Sequence, residues 1–375
     1  MTTFNERILK SDEKAMLRLR ALYQQYGYSA YKMGRFEEYE LYVRNKDFLV
    51  SDEIITFTDR NGRLLALKPD VTLSIIKNTA DTPNTLQKLY YSENVYRVSK
   101  GAHSFKEIMQ TGLECVGDLT AYAIAEVVML AIRSLKLIGD RCVLDLSHMG
   151  LIAAVFDECD LDSQSKAAAL ACLQQKNSHG LKAICAENNL SEAVAQKLLL
   201  LTTCFGDMDT VLGTLAPFMT TEAQKTAFAD FSELCSALSA NGYGDCVRID
   251  FSVGNDMKYY SGVVFNGYLE GIPTGILSGG QYDKLLHKMG RKSGAIGFAV
   301  YLDLLEQWEQ NDSRYDVDTV LLHDKDASAA EVLTAVQKLS EDGEVLALTD
   351  VPKQTRYRRL VRFEKGEVTV LEDNG

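Results

Sequence analysis

Nowhere in the 375 residues does an apolar run approach the roughly 18 needed to cross a bilayer. The best candidate, residues 121–138, carries Glu126 and Arg133, so no membrane span is expected. The opening MTTFNERILKSDEK is polar and lacks the apolar stretch of a signal peptide. No C-x-x-C pair occurs. The eight cysteines (Cys115, Cys142, Cys159, Cys172, Cys185, Cys204, Cys235, Cys246) are scattered, and dispersed thiols read as reduced, mostly buried residues of a cytoplasmic protein. His103, His148, His179, His287 and His323 stand apart, and no Walker-type or G-x-G-x-x-G loop is present, so neither metal nor cofactor is expected. Positive charge is also short. With 40 Lys and Arg against 52 Asp and Glu the chain carries a net −12, which lowers the expectation of a nucleic-acid partner. What remains is ordinary globular usage, 46% hydrophobic and 25% charged, with length for two or three domains.

Three regions differ in texture. Residues 1 to about 145 mix helix and strand signals. Residues 11–26 read as an amphipathic helix through Ala15, Leu19, Leu22 and Tyr26, with Ser11 as its cap. Residues 54–58 and 64–67 flank Asp59-Arg60-Asn61-Gly62, whose Asn-Gly step signals a hairpin. Residues 89–98 and 108–116 are β-rich, and 119–138 form a helix apolar enough to pack across a sheet. Residues 151–240 are rich in Ala, Leu, Gln, Lys and Glu. Breaks at Ser178-His179-Gly180, Asn188-Asn189, Phe205-Gly206-Asp207 and Thr220-Thr221 divide them into about five short helices, read as an inserted helical subdomain.

Strand signals return at 247–251, 259–268 and 272–277, followed by a glycine-marked turn at Ser278-Gly279-Gly280 and a helix over 295–305. The last stretch reads as a small α/β unit: strand 319–323, helix 327–339, strand 344–348, and a hairpin of 359–363 with 368–371. The expected division is a core of residues 1–312, with a helical insertion at about 151–242, and a C-terminal unit of 313–375 that is marginal for folding alone.

Several stretches carry chemistry. Lys68-Pro69-Asp70-Val71-Thr72 stands before a helical signal, where Asp70 or Thr72 can cap free amides. In Gln110-Thr111-Gly112-Leu113-Glu114, a strand period of two puts Gln110, Gly112 and Glu114 on one face. Two hydrogen-bonding side chains flanking a bare glycine form a notch for a polar ligand, in which Glu114 can accept from an imidazole or ammonium N–H. The plainer alternative is the exposed polar face of an edge strand. Tyr259-Tyr260 reads equally as sheet aromatics, Gly279-Gly280-Gln281-Tyr282-Asp283 as a loop, and His148 as structural.

Taken in order, Thr58 to Arg63, Leu67 to Thr72, Asn94-Val95-Tyr96-Arg97, Gln110 to Glu114, Tyr259-Tyr260, Gly279 to Asp283 and Gly297-Phe298-Ala299 resemble the catalytic core of histidyl-tRNA synthetase over roughly residues 5–308. The resemblance implies an α+β class II synthetase fold, an antiparallel sheet flanked by helices and usually dimeric. Carried over position by position, it implies that Asp70, Thr72 and Gln110 hold a histidine α-amino group. Glu114 with Tyr259 or Tyr260 would meet the imidazole, Gly279 and Gly280 would line the floor, and Val71, Arg97 and Asn255 would complete the pocket.

The departures bear on function. Asn255 stands where the synthetases carry an arginine, and it cannot supply a guanidinium fork. Leu304 stands where the third motif places its ATP-clamping arginine. In the second motif only Arg97 remains, with a shortened loop at 98–104; Gly34 takes the proline position of the first motif, and a short unit replaces the anticodon-binding domain. Losing one cation that stabilises developing phosphate charge commonly costs ~10²–10³-fold in rate, so adenylation is not expected where two are missing. A kept pocket without activation resembles the regulatory subunit of ATP phosphoribosyltransferase, a synthetase paralogue acting in the first step of histidine biosynthesis; the stretch 144–151 with His148-Met149-Gly150 fits as well. The resemblance implies a non-catalytic subunit and a short-form catalytic partner. It also implies a homodimer, formed near residues 34–41, within a hetero-oligomer. L-histidine would be an effector, bound in the old pocket or at the subunit interface, and tRNA would not be a partner. Two other readings stand beside it: a divergent histidyl-tRNA synthetase or histidine-activating ligase, against which Leu304 and Asn255 speak, and a free-standing histidine sensor.

Overall fold

Two thirteen-residue strands, Leu86–Val98 and Phe105–Gly117, pair antiparallel along their whole length. They belong to a nine-stranded sheet running Ser29–Ala30, Leu86–Val98, Phe105–Gly117, Gly294–Tyr301, Leu277–Gln281, Val263–Leu269, Cys142–His148, Val247–Asp250, Phe205–Gly206. All neighbours are antiparallel except the first pair and the pair Cys142–His148 with Val247–Asp250. The molecule is thus the α+β fold with an antiparallel sheet that the sequence implies. The computed structural model describes residues 9–46, 54–98, 104–253, 259–305 and 315–375, and the chain divides into two compact units, 1–306 and 307–375.

Each face of the large sheet is buried by helices. On one, Ser11–Gln25 and Ala121–Ile138 set Leu19, Val127 and Ala131 against Leu113, Phe265 and Phe298. The longer helix starts at Thr120, whose Oγ1 accepts the Ala123 N–H at 3.2 Å. Its carboxylate, Glu126, is buried against Lys88 at 2.6 Å. Helix Ser11–Gln25 is capped by Lys10 rather than Ser11, because Glu13 already accepts the Lys10 N–H at 3.0 Å. The other face carries Thr72–Asn78 and Asp283–Lys288, with Ile75, Ile76 and Leu285 against Tyr91, Val116 and Tyr282.

Two expectations about the sheet's centre fail. Residues 295–305 are not a helix: Gly294–Tyr301 is a strand between Phe105–Gly117 and Leu277–Gln281. It is apolar on both faces because both are covered, and such a run carries no period that separates strand from helix. Ser278-Gly279-Gly280 is not a turn but lies within Leu277–Gln281, its glycines serving close approach.

The insertion holds six α-helices among the described residues: Met149–Asp157, Ser163–Gln174, Ser178–Glu187, Glu192–Thr203, Met208–Leu215 and Glu222–Ala240. Asp162, Asn177, Ser191, Asp207 and Thr221 cap the last five through side-chain oxygens. The first expected break therefore moves upstream. Ser178-His179-Gly180 is a helix start, with Gly180 N–H donating to Asn177 Oδ1 at 2.9 Å. Lys197 is buried inside this subdomain against Glu158 at 2.7 Å and Thr220 at 2.6 Å.

A separate three-stranded sheet, ordered Phe36–Glu38, Leu64–Leu67, Thr56–Thr58, contains the expected hairpin. Asp59 Oδ1 accepts the N–H groups of Asn61 and Arg63 at 2.8 and 2.9 Å, and Gly62 supplies φ +79°. The second unit has a four-stranded sheet ordered Val345–Leu348, Val317–His323, Tyr357–Glu364, Glu367–Asp373. Helix Ala329–Leu339 covers one face through Val332 and Ala335 on Leu321, Val361 and Phe363. All eight cysteines are free thiols, and among the described residues no helix is long and apolar enough to cross a membrane.

Candidate functional site

Register places Gln110, Gly112 and Glu114 on one sheet face with Tyr91 and Glu93 on one side and Gly297 and Tyr301 on the other. Glu114 is the centre. Its Oε1 accepts the Thr72 hydroxyl at 2.7 Å and its Oε2 accepts the Tyr282 hydroxyl. Burial pushes its carboxyl up to about 8, opposed by the two hydroxyl donors and reinforced by Asp70. Near neutrality this group therefore holds its proton. Burial raises the Tyr91 and Tyr282 phenols too, with Glu114 the next cause in each.

Segment 68–72 is pinned over strand Leu86–Val98. Lys68, 1% exposed, donates to Glu93 Oε2 at 2.6 Å, and Tyr96 N–H donates to the Lys68 carbonyl at 2.9 Å. Arg97 Nε donates to the Pro69 carbonyl at 3.1 Å. Asp70 Oδ1 accepts the Leu73 N–H at 2.9 Å, so the capping role is real; burial raises its carboxyl while that N–H, and after it Arg97, draw it back down. Val71 packs its side chain into the apolar cluster with Ile75 and Ile76, which leaves only its backbone for a ligand.

Tyr259 meets Tyr260 edge to face at 4.6 Å and Tyr282 at 5.8 Å between ring centres. The Tyr260 ring lies on Gly280, where a Cβ would come within 2.6 Å of it. Gly279 does not line this floor. Its missing Cβ would strike Phe298 and Phe265, which belong to the core on the sheet's other face. The second floor glycine is Gly297, against which the Glu114 carboxyl lies. Nor does the Gly112 notch stand open: Tyr91 fills it, with Oη 2.7 Å from where a Cβ would sit.

The structure thus brings together Asp70, Thr72, Gln110, Glu114, Tyr259 and Tyr260 and adds Tyr91, Tyr282 and Gly297. Asn255, and most of the loop at 98–104, lie outside the described residues. Tyr282 was visible in the Gly279 to Asp283 stretch but gave no local signal of its role; Tyr91 was legible only once its partner Gly112 was known. One polar group stays unsatisfied. Gln110 is 3% exposed, and its amide makes no hydrogen bond among the described residues. The unpartnered atom is the donor Nε2, which suits an acceptor on a small polar ligand, while the half-buried Asp70 beside it can accept from an amine N–H. Among the described residues no group of His, Cys, Asp and Glu is placed to hold a metal ion.

A family model described as histidyl-tRNA synthetase matches residues 4–305. An ATP phosphoribosyltransferase regulatory subunit from Oceanobacillus iheyensis is 28% identical over 307 residues, 81% of this chain and 75% of that protein. The crystal structure of an ATP phosphoribosyltransferase regulatory subunit/histidyl-tRNA synthetase from Bacillus halodurans is 27% identical, covers 96% of both chains and superposes with a TM-score of 0.76. A chain of an ATP phosphoribosyl transferase (HisG:HisZ) complex from Thermotoga maritima shares the fold at 17% identity, over 78% of this chain and 97% of its own length, with a TM-score of 0.62.

Proposed function

The chain belongs to the histidyl-tRNA synthetase family, and from that premise we infer that it acts as a regulatory subunit of ATP phosphoribosyltransferase in histidine biosynthesis. The observation that carries this reading is Leu304. At the position where the synthetase resemblance calls for an ATP-clamping arginine, this chain packs an aliphatic side chain against its core. A leucine cannot stabilise charge developing on a phosphate. The chain is then a non-catalytic member of a complex, with a short-form catalytic subunit supplying phosphoribosyl transfer.

The remaining assignments are ours. The pocket around Glu114 and Gln110 takes L-histidine as effector. Cytoplasm is the compartment that eight free thiols suit. A homodimer forms through the small three-stranded sheet, whose Phe36 and Phe57 stack edge to face at 5.5 Å while exposed at 53% and 39%. tRNA is not a partner.

The test is reconstitution. The purified chain should give no histidine-dependent exchange of pyrophosphate into ATP, and adding it to a short-form catalytic subunit should raise phosphoribosyl transfer from ATP. Exchange at a synthetase-like rate would overturn the reading in favour of a divergent ligase.

A further inference from the structure

A cavity of about 730 Å³ opens on the sheet face opposite Glu114, between helices Ala121–Ile138 and Glu222–Ala240. Its floor is made where strands Cys142–His148, Val263–Leu269 and Leu277–Gln281 begin or end, at His148, Val263 and Gln281. Its volume is that of a small-molecule site. The histidine pocket uses none of it.

Three observations define what would fit. First, His148 is only 9% exposed, and its Nδ1 accepts the Leu151 N–H at 3.0 Å. That bond fixes the tautomer, leaving the ring proton on Nε2, which has no partner among the described residues. Burial holds the ring down to about 4, so it is a neutral donor rather than a cation near neutrality. Second, Asp230 and Glu233 line the cavity from positions three apart on Glu222–Ala240, and neither has an ion pair or hydrogen bond among the described residues. Third, no lysine or arginine lines it. Its remaining carboxylate, Glu126, is matched by Lys88, while Arg133 and Lys136 sit on the rings of Tyr26 and Tyr243. The rest of the wall is apolar or aromatic, with Met129, Leu234 and Leu238.

We propose that this cavity binds a small organic monocation, an amine or amidine with an apolar body and a hydrogen-bond acceptor. The cationic end faces Asp230 and Glu233, the acceptor takes the His148 Nε2 proton, and the body lies on the leucines and tyrosines. One wall belongs to the sheet-packing helix and the other to the insertion, so an occupant ties the insertion to the core.

The probe is p-aminobenzamidine, whose fluorescence rises in apolar surroundings, titrated into the full chain at neutral pH. A saturable rise with a submillimolar midpoint is expected. Two charge-assisted contacts are removed in the double variant Asp230→Asn/Glu233→Gln, so its affinity should fall by at least about tenfold. Both positions are exposed, and circular dichroism checks that the variant folds. The neutral p-aminobenzamide should not bind, and Glu114→Ala should bind the cation unchanged. No saturable signal, equal binding by the double variant or by the neutral probe, or loss of the signal in Glu114→Ala each overturns the proposal. The last outcome would send the probe to the Glu114 pocket and leave the regulatory reading untouched.

Discussion

Gly297 lies directly opposite Glu114 in the ladder joining Gly294–Tyr301 to Phe105–Gly117, and a Cβ on it would collide with Glu114 Oε2. The glycine is what lets the carboxyl turn toward Thr72 and Tyr282. Gly297→Ala must push that carboxyl off its donors, at a cost of roughly 1–3 kcal/mol for overpacking. A fall in the thermal midpoint measures it. In Glu114→Ala the same substitution should cost less, because the carboxyl is gone and only the Leu113 carbonyl, 2.5 Å from the new Cβ, still opposes it. Equal costs in both backgrounds would show that the two side chains do not share this space.

Glu114 also sets a pH dependence. Its carboxyl ionises near the ordinary 4.5 in the unfolded chain but holds its proton to about 8 when folded. The stability tied to its protonated form is therefore complete below pH 4.5 and is lost as pH rises through 8. The slope in that window approaches about 1.4 kcal/mol per pH unit. Glu114→Gln keeps the shape of the protonated acid and removes the titration, so the variant should gain on the parent between pH 5 and 9 in denaturant midpoints. Parallel curves for the two proteins would mean that the carboxyl titrates elsewhere.

How far this site could be read from the residues alone depends on period. The alternation in Gln110 to Glu114 was enough to put two polar groups on one face, and the Asn-Gly turn and the Asx-type and Ser/Thr caps of the insertion were written locally. The strand Gly294–Tyr301 was not, because burial on both faces erases alternation, and its Gly297 answers to Glu114 across the sheet. Tyr91 and Tyr282 were hidden for the same reason. Each matters through a partner far away in the chain: Gly112 for the first, Glu114 for the second. That Gly279 and Gly280 face opposite sides follows once they are strand rather than turn.

The Lys68–Glu93 pair is nearly dry, with side chains 1% and 15% exposed and 2.6 Å between charges. Removing one partner strands the other, so Lys68→Ala should cost about 3–5 kcal/mol, whereas Lys68→Met with Glu93→Leu should recover much of it. Chemical denaturation of the parent and these two variants reads this directly. A small cost for the single variant would mean that water reaches the pair.

The dimer reading rests on Phe36 and Phe57, two large exposed rings stacked on one another. Aromatic anchors at an interface carry about 2 kcal/mol or more each, so Phe36→Lys with Phe57→Lys should weaken association by several hundred-fold and give a monomer in light scattering at micromolar concentration. Both rings sit on the surface, so the fold should survive. A parent chain that is already monomeric would sink the reading.

Gln110 separates a ligand pocket from an inherited scaffold. A buried amide without a partner costs about 1–3 kcal/mol, and only something bound can recover it. Gln110→Leu removes that cost, so the ligand-free chain should melt higher than the parent. If L-histidine occupies the pocket, the same change deletes one of its contacts and should weaken binding about tenfold in calorimetry. Glu114→Ala should abolish binding while leaving the dimer intact. The two readouts for Gln110→Leu then move in opposite directions, stability up and affinity down, which a purely structural role cannot produce. If affinity stays constant while stability rises, the amide is a relic of the synthetase pocket and histidine must act on the assembled complex through the interface with the catalytic subunit.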